Sequence, residues 1–95
     1  MEKRRAHIFV SGRVQGVFFR ASAQKRAREL KLGGWAHNLV DGRVELVVEG
    51  EKEHVTQFIE WCKVGTPLAR VENIEVREEN CVGEFDNFAI REFGF

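Results

Sequence analysis

The sequence is sparing with cysteine and proline: it has two cysteines and one proline in 95 residues. Cysteine this scarce, with no export signal, points to a reducing, cytosolic setting. Met1 to Arg5 is charged and lacks the apolar stretch of a signal peptide. No run approaches the ~18 apolar residues of a membrane span. No linker, repeat or low-complexity stretch divides the chain, so residues 1–95 are expected to form one domain. A domain of this size supports one core, without a large cavity or a second lobe.

An excess of charge of one sign is missing too. Fifteen basic and fifteen acidic residues cancel. That balance argues against a protein that coats nucleic acid or an anionic membrane. The charges are nevertheless unevenly placed. Residues 1–28 carry eight lysines and arginines against Glu2 alone, and residues 72–95 carry seven acids against Arg77 and Arg91. Two readings follow: a basic segment that attracts a small anion, or two chain ends that neutralise each other.

What is present has a clear periodicity. Ala6–Ser11 alternates as a strand, with Ile8 and Val10 on one face and His7 and Phe9 on the other. Gly12-Arg13-Val14-Gln15-Gly16 reads as a tight loop. Phe19, Ala23, Ala27 and Leu30 recur at helical spacing, and Gly33-Gly34 is expected to stop that helix. Trp35–Leu39 reads as a short strand. Asp41-Gly42 then signals a hairpin into Arg43–Glu49, where Val47 breaks the alternation. Val55, Phe58, Ile59 and Cys62 mark a second helix over about Lys52–Val64. Ala69–Glu79 reads as a strand, and Phe88–Phe93 as a last short strand at an edge. The order predicts an α+β, ferredoxin-like βαββαβ sandwich. Its antiparallel sheet carries two helices on one face, a short C-terminal edge strand, and right-handed crossovers. The other sheet face is expected to meet solvent.

Two places invite a chemical reading. A glycine-containing turn before a helix presents N–H donors and a helix dipole to an anion. Arg20, in the first helical turn, offers a planar cationic fork that suits phosphate oxygens. The same residues also fit a plain turn beside an exposed arginine. Asn38 precedes the hairpin, where its amide could orient a water or simply cap the turn. Spacing alone decides neither case.

Other chemistries fail. Gly16 is followed by Val17-Phe18, not by the Lys-Ser/Thr of a phosphate-binding Walker loop. The arginine that a cysteine phosphatase needs six positions after its cysteine is Leu68 after Cys62 and Asn87 after Cys81. Histidines 7, 37 and 54 show no metal-ligand spacing with each other or with the cysteines. Cys62 reads as core and Cys81 as a loop thiol. RNA recognition on this fold needs aromatics on two central strands, and the third strand carries Glu45 and Glu49 instead.

Val10-Ser11-Gly12-Arg13-Val14-Gln15-Gly16-Val17-Phe18-Phe19-Arg20 closely resembles the first signature of the acylphosphatase family. Gly34-Trp35-Ala36-His37-Asn38, followed by Gly42, Val44 and Gly50, resembles the second. The likeness covers nearly the whole chain. It implies hydrolysis of the carboxyl–phosphate anhydride of acyl phosphates, giving a carboxylate and inorganic phosphate. It implies a phosphate cradle from Gly12, Arg13, Val14, Gln15, Gly16, Val17, Phe18 and Phe19, with Arg20 as the phosphate-binding catalytic arginine. Asn38 matches the residue that orients the attacking water. The family uses no metal or cofactor. Its partners are small acyl phosphates and phosphate, with no nucleic acid and no membrane, and a cytoplasmic monomer is expected. A rival reading is a non-catalytic or carbamoyl-phosphate-related binding module of the same family.

The chemistry suits so spare a site. The leaving carboxylate has a conjugate acid of pKa about 4 and departs without a general acid. A phosphate oxygen of the substrate is expected to take the proton from water, with His37 or an exposed carboxylate as the alternative base. Two departures from the family pattern bear on this. His37 stands where a lysine, arginine or glutamine is usual. Glu92-Phe93-Gly94-Phe95 follows the Phe88-Ala89-Ile90-Arg91 segment near which the family often ends, which leaves the support of Arg20 open.

Overall fold

The computed structural model describes residues 2–92. β1 (Lys3–Arg13) leads into α1 (Phe19–Glu29), followed by β2 (Gly33–Asn38) and β3 (Val44–Glu51). α2 (Lys52–Cys62), β4 (Arg70–Glu79) and β5 (Phe88–Arg91) complete the order. The sheet order is β4-β1-β3-β2-β5. The predicted sandwich is present, with one correction: the sheet is mixed. β5 runs parallel to β2, while every other pair is antiparallel. β4 and β5 lie on opposite edges, so residues 80–87 must cross the end of the sheet and reverse, which aligns β5 with β2. Phe93, assigned to this last strand from the sequence, lies outside the described residues, as do Gly94 and Phe95.

One face of the sheet makes the core. Ala6, Ile8 and Val10 of β1 and Val44, Leu46 and Val48 of β3 are all buried there. Phe19, Ala23 and Ala27 of α1 meet β2 and β5, while Val55, Phe58 and Cys62 of α2 meet β1 and β3. The period-2 and period-3.6 patterns converge on this layer.

The other face is not left to water. Val47, which broke the alternation, points to this side and is buried between His7 of β1 and Trp35 of β2. The His7 and Trp35 rings approach to 6.1 Å between centroids. Arg91 lies over Trp35, and Arg43 and Arg77 lie against Phe9. Long arginine stems and aromatic rings thus shield an apolar valine without a third layer.

Gly33-Gly34 does not end α1. The left-handed residue is Lys31 (φ 57°). The Leu32 N–H donates to the Ala27 carbonyl (2.8 Å) and the Lys31 N–H to that of Arg28 (3.1 Å), a Schellman closure two residues earlier than expected. Gly34 serves the sheet instead: a Cβ there would lie 1.8 Å from the Val47 carbonyl oxygen. The second helix also stops early, at Cys62 rather than Val64, where the Val64 N–H bonds only three residues back, to the Trp61 carbonyl.

Arg4 pairs with Glu78 (2.6 Å), and Arg5 with Glu79 (2.9 Å) and Glu84 (2.6 Å), so the two ends do neutralise each other. Arg20 also lies near an acid of that end, Glu92.

Candidate active site

Register fixes where the site forms. Val44 of β3 is flanked by Val10 of β1 and Asn38 of β2. The exit of β1 and the end of β2 therefore sit at one end of the sheet, with the start of α1 beside them. The loop here is shorter than the sequence suggested. Gly12 and Arg13 belong to β1, because a register shift between Ser11 and Gly12 lets the strand keep pairing with Val71 and Arg70. A Cβ on Gly12 would lie 2.2 Å from the Arg70 carbonyl oxygen. Gly12 thus allows close backbone approach.

The remaining turn, Val14–Phe18, is anchored at two points. The Gln15 side-chain amide donates to the carbonyls of Leu39 (2.7 Å) and Arg43 (3.0 Å) on the β2–β3 hairpin. The Thr66 hydroxyl donates to the Val17 carbonyl (2.8 Å). Gly16 and Phe18 both have positive φ, 74° and 64°. Phe18 is the N-cap of α1, which has no side-chain cap and no acidic residue in its first turn. Its first N–H groups are left without a competing carboxylate.

Val14, Gly16, Phe18, Arg20, Asn38 and Glu92 share the lining of one cleft of about 300 Å³. Phe19 and Ile90 line it as well. Of the cradle expected from sequence, the cleft gathers Val14, Gly16, Phe18, Phe19 and Arg20. Gly12, Arg13, Gln15 and Val17 stand outside its lining. A larger hollow of about 460 Å³ lies at the other end of the sheet, bordered by Lys3, Arg28, Lys31 and Glu49, away from both signature motifs.

Arg20 is three-quarters buried. Its Nη1 donates to the Arg91 carbonyl (3.3 Å) and lies 3.8 Å from a Glu92 carboxylate oxygen. The first residue of the C-terminal extension therefore reaches the arginine with its own side chain. Asn38 Oδ1 is buried and has no hydrogen-bond partner among the described residues. Such an acceptor costs roughly 1–3 kcal/mol while it stays unpaired.

His37 is not beside Asn38 in the cleft. Strand alternation turns it to the opposite face, where it is buried and its Nε2 donates to Glu45 Oε1. Glu45 Oε2 faces His7 Nε2 at 2.5 Å. Burial pushes the Glu45 carboxyl up, but the bonds from His37 and His7 outweigh it and hold it below the ordinary glutamate range. The expectation of His37 as an alternative base is corrected on these grounds. Among the described residues no three histidine, cysteine, aspartate or glutamate side chains are arranged to hold a metal ion.

Sequence reasoning left the contact of Glu92 with Arg20 open and missed Ile90, Thr66 and the target of the Gln15 amide. Each contact spans more than twenty residues, so no local pattern signals it.

A small α+β sandwich thus gathers an arginine, an asparagine and a glutamate in one cleft at the end of its sheet. The acylphosphatase family model matches residues 6–90. An acylphosphatase of Syntrophobacter fumaroxidans is 54% identical over 90 residues, covering 95% of this chain and 93% of the relative. One from Methylococcus capsulatus is 55% identical over 87 residues, covering 92% and 95%. The solved acylphosphatase of Coxiella burnetii superposes with a TM-score of 0.88 at 44% identity, covering 94% and 93%. The chain belongs to the acylphosphatase family. Its activity is the hydrolysis of acyl phosphates, with inorganic phosphate as product.

Proposed function

We propose that the chain holds the phosphoryl group of an acyl phosphate in the β1–α1 turn and directs water at it from Asn38. The turn from Val14 to Phe18 and the start of α1 supply backbone N–H donors, with Gly16 at the open centre. Gly12 and Arg13 act through the strand that delivers the loop. Arg20 binds two phosphoryl oxygens with its fork. Asn38 holds the water for in-line attack. A P–O bond forms to the water oxygen, and the P–O bond to the carboxylate breaks. The leaving carboxylate takes the electron pair, and a phosphate oxygen takes the proton from water. Little covalent work falls to the protein, so positioning and charge stabilisation suffice.

One observation carries this reading. Arg20 and Asn38 lie eighteen positions apart in sequence and share one small cleft. Glu92 is the carboxylate in that lining, and its place beside Arg20 favours reading it as a support rather than a base. We also read the protein as a cytoplasmic monomer acting on small diffusible substrates, without nucleic-acid or membrane partners. The zero net charge supports the absence of nucleic-acid and anionic-membrane partners. No helix among the described residues is long and apolar enough to cross a membrane.

The test is hydrolysis of benzoyl phosphate and p-nitrophenyl phosphate, with a chelator present, by the wild type and Arg20→Gln. Rapid loss of the acyl phosphate, little action on the monoester and near-complete failure of the variant are expected. Equal rates on both substrates, or a fully active variant, would contradict the proposal.

A further inference from the structure

A cradle of backbone N–H groups works only if those groups are aimed, and one contact behind the loop bears on their aim. Thr66 is half-buried and stands outside the cleft lining. It belongs to the connection from α2 to β4, where its own carbonyl accepts from the Ala69 N–H (3.0 Å). Pro67 follows and disfavours a helical backbone at Thr66. Gly65 (φ 72°) lets the connection close on the site: a Cβ there would lie 2.9 Å from the Phe19 ring. The Thr66 hydroxyl is thereby presented to the Val17 carbonyl at 2.8 Å. Val17 is buried and also outside the lining, whereas the next residue, Phe18, is within it. The Gly16, Val17 and Phe18 N–H groups donate to no other described residue.

We propose that Thr66 is a positioning residue for the reaction: by holding the Val17 carbonyl, its hydroxyl aims the Phe18 N–H at the phosphoryl group. The inference rests on the phosphoryl group occupying the β1–α1 turn. The Val17–Phe18 peptide is trans and planar, so its carbonyl and its N–H point in opposite directions. A donor that fixes the carbonyl on the outer side therefore fixes the N–H on the cleft side. The backbone by itself works against this orientation. Phe18 has φ 64°, a left-handed value that a bulky residue rarely adopts. Turning the peptide over about its Cα–Cα axis would carry that φ to the negative side. It would also turn the N–H away from the cleft and bring the carbonyl, the negative end of the dipole, toward the anion. The Thr66 bond opposes that rotation, so a strained loop is held ready before substrate arrives. Thr66 itself touches no reacting group.

The experiment compares the wild type with Thr66→Val, Thr66→Ala and Thr66→Ser. It reads kcat/KM on benzoyl phosphate, the inhibition constant for inorganic phosphate, and the Phe18 amide resonance of isotope-labelled protein titrated with phosphate. Losing an aimed donor outright costs on the order of 100-fold in rate, and loosening one is expected to cost roughly tenfold in kcat/KM. The wild-type Phe18 amide proton should move downfield as phosphate binds. T66V and T66A should lose most of that shift and bind phosphate severalfold more weakly. T66S keeps the hydroxyl and should restore rate, affinity and shift. Alanine places no methyl against the Val17 carbonyl, so a T66V that fails to fold does not void the test. Wild-type kcat/KM with an undiminished Phe18 shift in T66A overturns the proposal, whatever the melting temperature does, and so does a loss that T66S fails to restore. If phosphate inhibits the wild type and moves other loop amides but not that of Phe18, the role of Thr66 is lost and the phosphoryl site stands. If saturating phosphate neither inhibits nor moves any loop amide, the phosphoryl-site reading falls and this inference falls with it.

Discussion

The Gln15 side-chain amide donates 2.7 Å to the carbonyl of Leu39, the residue that follows Asn38. Its second bond, to Arg43, closes on the returning strand of the same hairpin. The loop meant for phosphate and the strand end meant for water are therefore tied to each other, not merely adjacent. Replacing Gln15 with Leu removes the side-chain donor from two carbonyls, each of which keeps a backbone donor, the Gly42 N–H for Leu39 and the Leu39 N–H for Arg43, and loosens that tie. The expected result is a loss of about 1–3 kcal/mol in unfolding free energy and a kcat lower by roughly tenfold, since small misplacements are costly in such sites. Urea denaturation and steady-state kinetics would check both. A variant with wild-type kcat would show that the tie is not needed for turnover.

Glu92 is 71% exposed in its side chain, yet reaches within 4 Å of Arg20. An exposed pair of this kind contributes little to stability. Its expected effect is on orientation. Glu92→Gln should leave the melting temperature within a few degrees and lower kcat/KM severalfold. The pH–rate profile should keep its shape, because Glu92 supports the arginine and does not take the proton. Loss of an acidic limb in the variant would make Glu92 the general base.

Acid should weaken the fold through the open face. Glu45 is held below the ordinary glutamate range by His37 and His7, and Glu79 by the bonds from Arg5 and His7. A carboxyl whose pKa is lowered on folding contributes stability above its unfolded value and loses it as pH falls through the folded value. Stability should therefore fall below about pH 4.5, the unfolded glutamate range. Glu45→Gln should make that decline shallower. Denaturant titrations across this interval would show it, and parallel curves for the two proteins would count against the Glu45 network.

The two thiols should separate cleanly. Cys62 is buried in the core, and its burial raises the thiol well above the ordinary cysteine range. Cys81 is exposed. Native protein should give one equivalent of labelling with a thiol reagent, and protein in denaturant two. Two equivalents under native conditions would mean that the α2 core opens readily.

Much of this architecture is legible in the sequence because its patterns are local. The alternation of Ile8 and Val10 and the helical spacing of Val55, Phe58, Ile59 and Cys62 name the elements and their buried faces. Four-residue β5 is too short for its pattern to give a direction, so its parallel pairing was hidden. The end of α1 was misplaced because Lys31, not a glycine, adopts the left-handed turn, while Gly34 answers to the neighbouring β3 backbone. The site was half legible. Arg20 and Asn38 drew weak signals from spacing and strong ones from the two long motifs. Glu92 and the destination of the Gln15 amide depend on which chain segments the fold brings together.

The division of labour between Arg20 and Asn38 is tested most directly by Asn38→Ala. The measurement is its kcat on benzoyl phosphate beside its inhibition constant for inorganic phosphate. On the proposed roles, water placement matters in the transition state and phosphate affinity rests on Arg20 and the loop, so kcat should fall by roughly 100-fold or more while phosphate inhibition stays within about twofold of wild type. A variant that loses phosphate affinity in proportion to its turnover would place Asn38 in the phosphate cradle and contradict the account.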